Sequence, residues 1–236
     1  TYQLNHATDL THFRDAVRQL ISPGLNIVYG DVAGNIAWWA AGRLPRRPDG
    51  DDPVLLQEGA KVPDGGLQYL AFEENPHAIN PSSGIIISAN NQPDSMPGQA
   101  LVPGYYVPED RAVRISRLLT ERAQYSAEDM QRIQNDGTSP VQPEVVHTIM
   151  DLVSKQTVEK NFSSHNAALR ILTWGGDHQL HDVGPVIYYK LLYHILHLAM
   201  ADEMGEDNFK AFLSTHVMKS SIPSFLANNQ SAWWDN

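Results

Sequence analysis

The apolar residues of this chain change their spacing near residue 109. Before it they run in short blocks, as in LNIVYG (25–30), IAWWAA (36–41) and GIIIS (84–88). After it they recur every third or fourth position, as in EDRAVRISRLLTER (109–122) and VGPVIYYKLLYHILHLAM (183–200). Short blocks bounded by turn residues fit strands, a spacing near 3.6 fits a helix, and neither pattern sits well in the other element. The chain is therefore read as α+β, with a sheet-bearing region over 1–108 and a mainly helical region over 109–236.

Within the first region, TDLTHFRDAVRQLI (8–21) predicts a helix. Leu10, Phe13, Val17, Leu20 and Ile21 lie on one face, and Thr8 or Asp9 serves as N-cap. Leu25–Tyr29 and Ile36–Ala41 predict a β-hairpin turned by Asp31, Gly34 and Asn35. Residues 43–66 and 92–108 read as long surface loops. The credible strands are too few for two packed sheets, so this region reads as a sheet lacking members. In the second region, Ser126 three residues before Asp129 is a capping box, and Asp182 reads as a cap before the long apolar run. Helices are expected near 141–156, 164–172, 184–202 and 206–213.

Composition narrows the function. A net charge of −10, from 27 acidic and 17 basic residues, disfavours a nucleic-acid backbone or an anionic membrane as partner. No apolar run approaches the ~20 residues of a membrane span. The first residues are polar and do not read as a leader. The absence of cysteine excludes thiolate chemistry and suits an oxidising compartment.

The motifs with chemical content are few. DHQLHD (177–182) brings His178 and His181 close in sequence, but in a loop and without a third ligand on a rigid mount, so zinc is disfavoured. His194 and His197 read as packing residues. No phosphate-binding loop and no G-x-S-x-G elbow occurs. Thr1 could act as an N-terminal nucleophile with its own amine as base, yet it leads into a helix rather than a buried strand. GIIISANNQP (84–93) reads as a buried strand ending on two amides. Asn90 and Asn91 are either turn residues or include an amide aimed at a reacting atom. Arg111, at a helix start, reads as a solvated cation on spacing alone.

Three segments in series change that balance. NIVYGDVAGNIAWWAAGRLPRR, NPSSGIIISANNQP and YVPEDRAVRISRLLTERAQYSAEDMQRIQNDGTS resemble, in order and spacing, the β-subunit of the penicillin acylases (penicillin amidases), which are N-terminal nucleophile hydrolases. SAWWDN near the C-terminus adds to the likeness. The resemblance implies part of a four-layer αββα sandwich followed by a helical extension, from a precursor exported to the periplasm or medium that cuts itself into α and β chains. It implies an N-terminal serine that attacks an amide carbonyl. On this resemblance Asn90 falls on the oxyanion-hole asparagine, Arg111 on an arginine that orients the site and stabilises negative charge, and Leu25 on an acyl-pocket position. Pro53, in the stretch Asp51-Asp52-Pro53, falls on a loop that gives a backbone carbonyl to a calcium site lying mostly outside this chain.

The departure from the family pattern is the nucleophile. The serine and its strand are absent, and Thr1 aligns inside the β-subunit rather than at its start. The chain is therefore expected to be an internal piece of a β-subunit, inactive alone, whose partners are the α-subunit and the rest of the β-subunit. The expected substrate of the whole enzyme is a small N-acyl compound, either a β-lactam side-chain amide or an N-acyl-homoserine lactone. A non-catalytic scaffold and a His178/His181 metal hydrolase are the rival readings.

Overall fold

A computed structural model describes residues 2–47, 53, 55–56, 66–94, 97–153, 162–228 and 230–234. They fall into two compact units, Thr1–Val107 and Pro108–Asn236.

The first unit opens with a short helix α1 (Tyr2–Asn5) and then α2 (Leu10–Arg18). Asp9 caps α2 by accepting from the His12 N–H at 2.9 Å, the bond a helix start needs for one of its unpaired donors. The helix ends three residues sooner than the apolar pattern predicts. The Ser22-Pro23-Gly24 sequence beyond it cannot continue a helix, and Ile21 is left exposed. Strands β1 (Leu25–Gly30) and β2 (Ile36–Ala41) form the predicted hairpin, in register from Leu25 opposite Ala41 to Gly30 opposite Ile36. Asp31 holds its turn. One carboxylate oxygen accepts from the Ala33 and Asn35 N–H groups, both at 2.9 Å, and the other from the Asn35 amide and Tyr29 hydroxyl. These bonds, the Asn35 side chain's foremost, keep this carboxyl below its ordinary range.

A third strand, β3 (His77–Ile79), pairs antiparallel with β2 and was not anticipated. Three residues carry too little pattern to announce a strand. Its outer edge is closed by a side chain. The Gln99 amide accepts from the His77 N–H at 3.0 Å and donates to the His77 carbonyl at 2.9 Å, standing in for a further strand. Asn75, fully buried, donates to the Ala40 and Gly42 carbonyls and ties β2 to the loop before β3. On one sheet face Ala37, Trp39 and Ala41 pack with Val17 of α2, and Phe13, Ile27 and Tyr29 close around them.

The isoleucine run corrects the sequence expectation. Residues 84–88 form no strand, and Ile85, Ile86 and Ile87 are half-buried rather than buried. A strand is defined by its ladder. Among the described residues the sheet contains β1, β2 and β3 alone, and the run pairs with none of them.

The second unit is helical: α3 (Asp110–Thr120), α4 (Ala127–Gln134), α5 (Gln142–Leu152), α6 (Phe162–Leu172), α7 (Gly184–Met204), α8 (Glu206–Leu213) and α9 (His216–Ala227). The capping box is present as read, with Ser126 Oγ accepting from Asp129 N–H and the Asp129 carboxylate from Ser126 N–H. Asp182 does not cap α7. Its carboxylate accepts from the Gln179 N–H at 2.8 Å and closes the preceding turn, while Val183 takes the cap position without a side-chain bond. Helix α9 escaped the sequence reading because it carries an interior proline, Pro223. The core joins Val146 and Ile149 of α5, Leu192 and Leu196 of α7, Phe209 of α8 and Phe225 of α9.

Candidate functional site

Asn90 stands where the isoleucine run turns. Its φ is +62°, left-handed backbone in which asparagine is several-fold enriched over other non-glycine residues. Hydrogen bonds on both sides of the residue hold that turn. The Asn90 carbonyl accepts from the Val107 N–H at 3.0 Å, and Asn91 Oδ1 accepts from the Ala89 N–H at 3.2 Å. Asn91 Nδ2 donates to the Gln92 carbonyl at 3.2 Å. The Asn91 amide is thus engaged in local turn bonds, Ala89 is buried, and Asn90 is exposed. Left-handed backbone at a single residue redirects the chain, so the Asn90 side chain leaves the run from a defined bend.

Leu25 is the first residue of β1. Paired with Ala41, it lies on the sheet face shared with Ile27 and Trp39, and it is 45% exposed. On the opposite face, Asn26 accepts from the Trp38 indole N–H at 3.0 Å. A cleft of about 160 Å³ lies there, lined by Asn26, Trp38, Ile87, Ser88, Asn91 and Asp94 among others. It includes neither Leu25 nor Asn90.

Pro53 is a half-buried turn residue, and its neighbours Asp51 and Asp52 lie outside the described residues, as does Thr1. Calcium needs six to eight oxygen ligands, and one carbonyl supplies one. Among the described residues no group of three or more His, Asp or Glu is placed to hold an ion.

In the second unit, Arg111 sits in the first turn of α3 and is exposed. A cleft of about 280 Å³ runs along this helix, lined by Arg111, Arg114, Ile115 and Leu118, and by Asp136, Gln142, His178, Tyr189 and Lys219 from other segments. The sequence reading passed over Arg114 and Asp136. Arg114 grips Asp136 with two parallel bonds, Nε to Oδ1 at 2.9 Å and Nη2 to Oδ2 at 2.6 Å. This guanidinium, ahead of the Thr138 N–H bond, holds the Asp136 carboxyl below its usual range, and Asp136 raises Arg114 in return. The sequence signal was faint, two opposite charges 22 positions apart.

His178 lies in the same cleft. Its Nδ1 is 3.0 Å from the Gly137 carbonyl and 2.9 Å from that of Gly176, so this nitrogen carries the proton. Nε2 faces the Tyr189 hydroxyl, which accepts from the Gln142 amide at 2.9 Å. The ring is a structural link between loops, packed edge-on to Trp174. His194 stands edge-on to Tyr193. His197 packs on Phe209 and bonds Glu206 at 2.8 Å.

The fold is part of that of a penicillin acylase. The structure superposes on a thermostable penicillin G acylase from Alcaligenes faecalis with a TM-score of 0.72 at 18% identity, over 99% of this chain and 46% of that one. The chain belongs to the penicillin amidase family, whose family model matches residues 1–236. It is 36% identical to Escherichia coli penicillin G acylase over 117 residues, which is 49% of this chain and 13% of that protein. It is 31% identical to the Penicillin acylase 2 proenzyme of Pseudomonas sp. strain SE83 over 57% of the chain and 17% of that protein. It is 23% identical to the acyl-homoserine lactone acylase QuiP of Pseudomonas fluorescens strain Pf0-1 over 100% of the chain and 30% of that protein. The chain thus spans less than a third of the curated relatives it matches.

Proposed function

We propose that this chain is a segment of an exported acylase that hydrolyses the amide bond of a small N-acyl compound, and that Asn90 donates to the oxyanion. The observation that carries the reading is the Asn90 bend. Its main chain is fixed in left-handed backbone by the Val107 bond while the residue stays exposed, and the neighbouring Asn91 amide is taken up in the turn. An oxyanion donor needs a fixed mount and an accessible side chain.

In this reading a serine supplied by the rest of the protein attacks the substrate carbonyl. Its hydroxyl proton passes to the serine's own α-amine. The Asn90 amide N–H stabilises the resulting oxyanion, and Arg111 stabilises the developing negative charge. Collapse breaks the C–N bond, the departing amine takes the proton, and water then hydrolyses the acyl ester. The α-subunit and the remainder of the β-subunit are the partners, and the export compartment is the working place.

The test separates the amide from the bend. In the full-length enzyme, Asn90→Gly keeps left-handed backbone freely, and Asn90→Asp keeps shape and bend but replaces the donor by an acceptor. Both should lower kcat by about 10²–10³-fold, with KM and thermal midpoint little changed. An Asn90→Gly enzyme within threefold of wild-type turnover would reduce Asn90 to a turn residue.

The acyl and amine groups have two readings. The penicillin acylases match about half of the chain, whereas QuiP aligns with all of it at lower identity, which favours keeping an acyl-homoserine lactone beside a β-lactam amide. Turnover of an acyl-length series on both amines decides between them.

A further inference from the structure

We propose that Asp136 is a positioning residue for Arg111: through Arg114 it fixes the rotation of α3, and so the direction in which Arg111 leaves that helix. The inference rests on the reading of Arg111 as the cation that serves the reaction.

Helix α3 is weakly anchored by packing. None of its 11 residues is buried, and Glu109 gives it no side-chain cap. Its apolar side chains are half-buried at most, and half-buried contacts leave a helix free to roll by small angles. Polar clamps must then set its azimuth. Near the C-terminal end, the Tyr125 hydroxyl donates to the Leu118 carbonyl. Near the N-terminal end stands the bidentate Arg114–Asp136 pair. Arg111 and Arg114 are three residues apart and line the same cleft, so a roll that moves one moves the other.

Asp136 is itself held to the unit's interior. Its Oδ1 also accepts from the Thr138 N–H at 3.0 Å. The Thr138 hydroxyl donates to Asp177 at 2.7 Å, and the Asp177 carbonyl accepts from the buried Trp174 indole at 2.7 Å. The path from the core to Arg111 is therefore continuous: Trp174, Asp177, Thr138, Asp136, Arg114, and one turn of α3. A planar fork held by two bonds resists rotation in a way a single point contact does not.

A double-mutant cycle on the full-length enzyme tests this, using Asp136→Asn, Arg111→Ala and their combination, with kcat, KM and urea midpoint measured for each. Asparagine at 136 retains an acceptor for Thr138 but points an N–H at the guanidinium. Asp136→Asn should lower kcat about tenfold with KM within twofold, the size expected for a cation displaced by a fraction of an ångström. In the Arg111→Ala background the same change should leave kcat where Arg111→Ala put it. An equal loss in both backgrounds, or unchanged kcat in Asp136→Asn, overturns the proposal. If Arg111→Ala alone leaves kcat unchanged, the reading of Arg111 falls first and takes the proposal with it, a result that does not involve Asp136. Should Asp136→Asn fail to fold, Arg114→Lys, which keeps the charge and loses the fork, runs the same cycle with a smaller expected loss.

Discussion

Replacing Gly176 by alanine should be among the most damaging single-methyl changes in the second unit. Gly176 is buried with φ +92°, and a Cβ there would lie 2.1 Å from the Ser139 carbonyl oxygen and 3.2 Å from Pro143 Cγ. The obstacle is backbone, so no side-chain rotation relieves it. The 137–139 segment must retreat by about 1 Å or more to restore ordinary contact, which strains the Ser139 N–H bond to the Gly176 carbonyl, now 3.0 Å. Left-handed strain contributes about 1–2 kcal/mol, the weakened buried bond about 1 kcal/mol, and the displaced packing about 1–3 kcal/mol. A total near 4 kcal/mol is a large part of the ~5–15 kcal/mol that holds a domain together. Two controls separate the causes. Gly205 has φ +74° and ψ 151°, backbone that is essentially glycine-only, with nothing within 4 Å of its virtual Cβ, so Gly205→Ala should cost only the backbone strain, about 1–3 kcal/mol. Gly175 has an ordinary 3.5 Å contact to Asp177 and no positive φ, so Gly175→Ala should stay within about 0.5 kcal/mol of wild type. Urea unfolding followed by tryptophan fluorescence reads all three. Gly176→Ala within 1 kcal/mol of wild type, or no worse than Gly205→Ala, would refute the close approach of these two loops.

Ser126→Ala should cost about 1 kcal/mol and raise hydrogen exchange in residues 127–134, because it removes the hydroxyl that accepts from the Asp129 N–H at 3.1 Å. The Arg114–Asp136 pair should make stability acid-sensitive. The folded carboxyl lies below its ordinary 3.8, so its contribution is fully present above about pH 4 and is lost as pH falls through the lower folded value. The urea midpoints of wild type and Asp136→Asn should therefore differ at neutral pH and converge in acid; a constant gap would contradict the assignment.

The parts of the fold legible in the sequence are those whose cause is local. The Asp9 cap, the hairpin around Asp31 and the Ser126–Asp129 box are each written within a few residues, and each appears with its expected bonds. What was missed depends on distant partners or on too few residues. Strand β3 is three residues long and is defined by β2 and the Gln99 amide. Helix α9 overrides its own proline because Ile222, Phe225 and Leu226 are buried. Asp182 carries cap chemistry that its local turn uses instead. The same division runs through the candidate site. Asn90 and Asn91 together are a local turn signal that only the family resemblance resolves in favour of Asn90, whereas the clamp beside Arg111 joins residues 22 apart and emerges only once α3 and the loop after α4 are folded.

The isoleucine run and the bend that ends it separate two kinds of instruction. Ile85–Ile87 have the side chains of an interior strand, but a strand exists only if neighbours take its N–H and C=O groups. Among the described residues no strand pairs with the run, and only the Ser83 hydroxyl is seen to bond the main chain of Ile85, so the run has no ladder. The bend at Asn90 forms without a ladder on the run before it: the Asn91 side chain, the Val107 N–H and the tolerance of asparagine for positive φ all favour it. On the proposed reading, strand neighbours for residues 84–88 come from the rest of the protein, and pairing with them would carry an already shaped bend into place. The bend from which the Asn90 amide leaves the chain is thus held by bonds close to it in sequence and from Val107 before any such pairing.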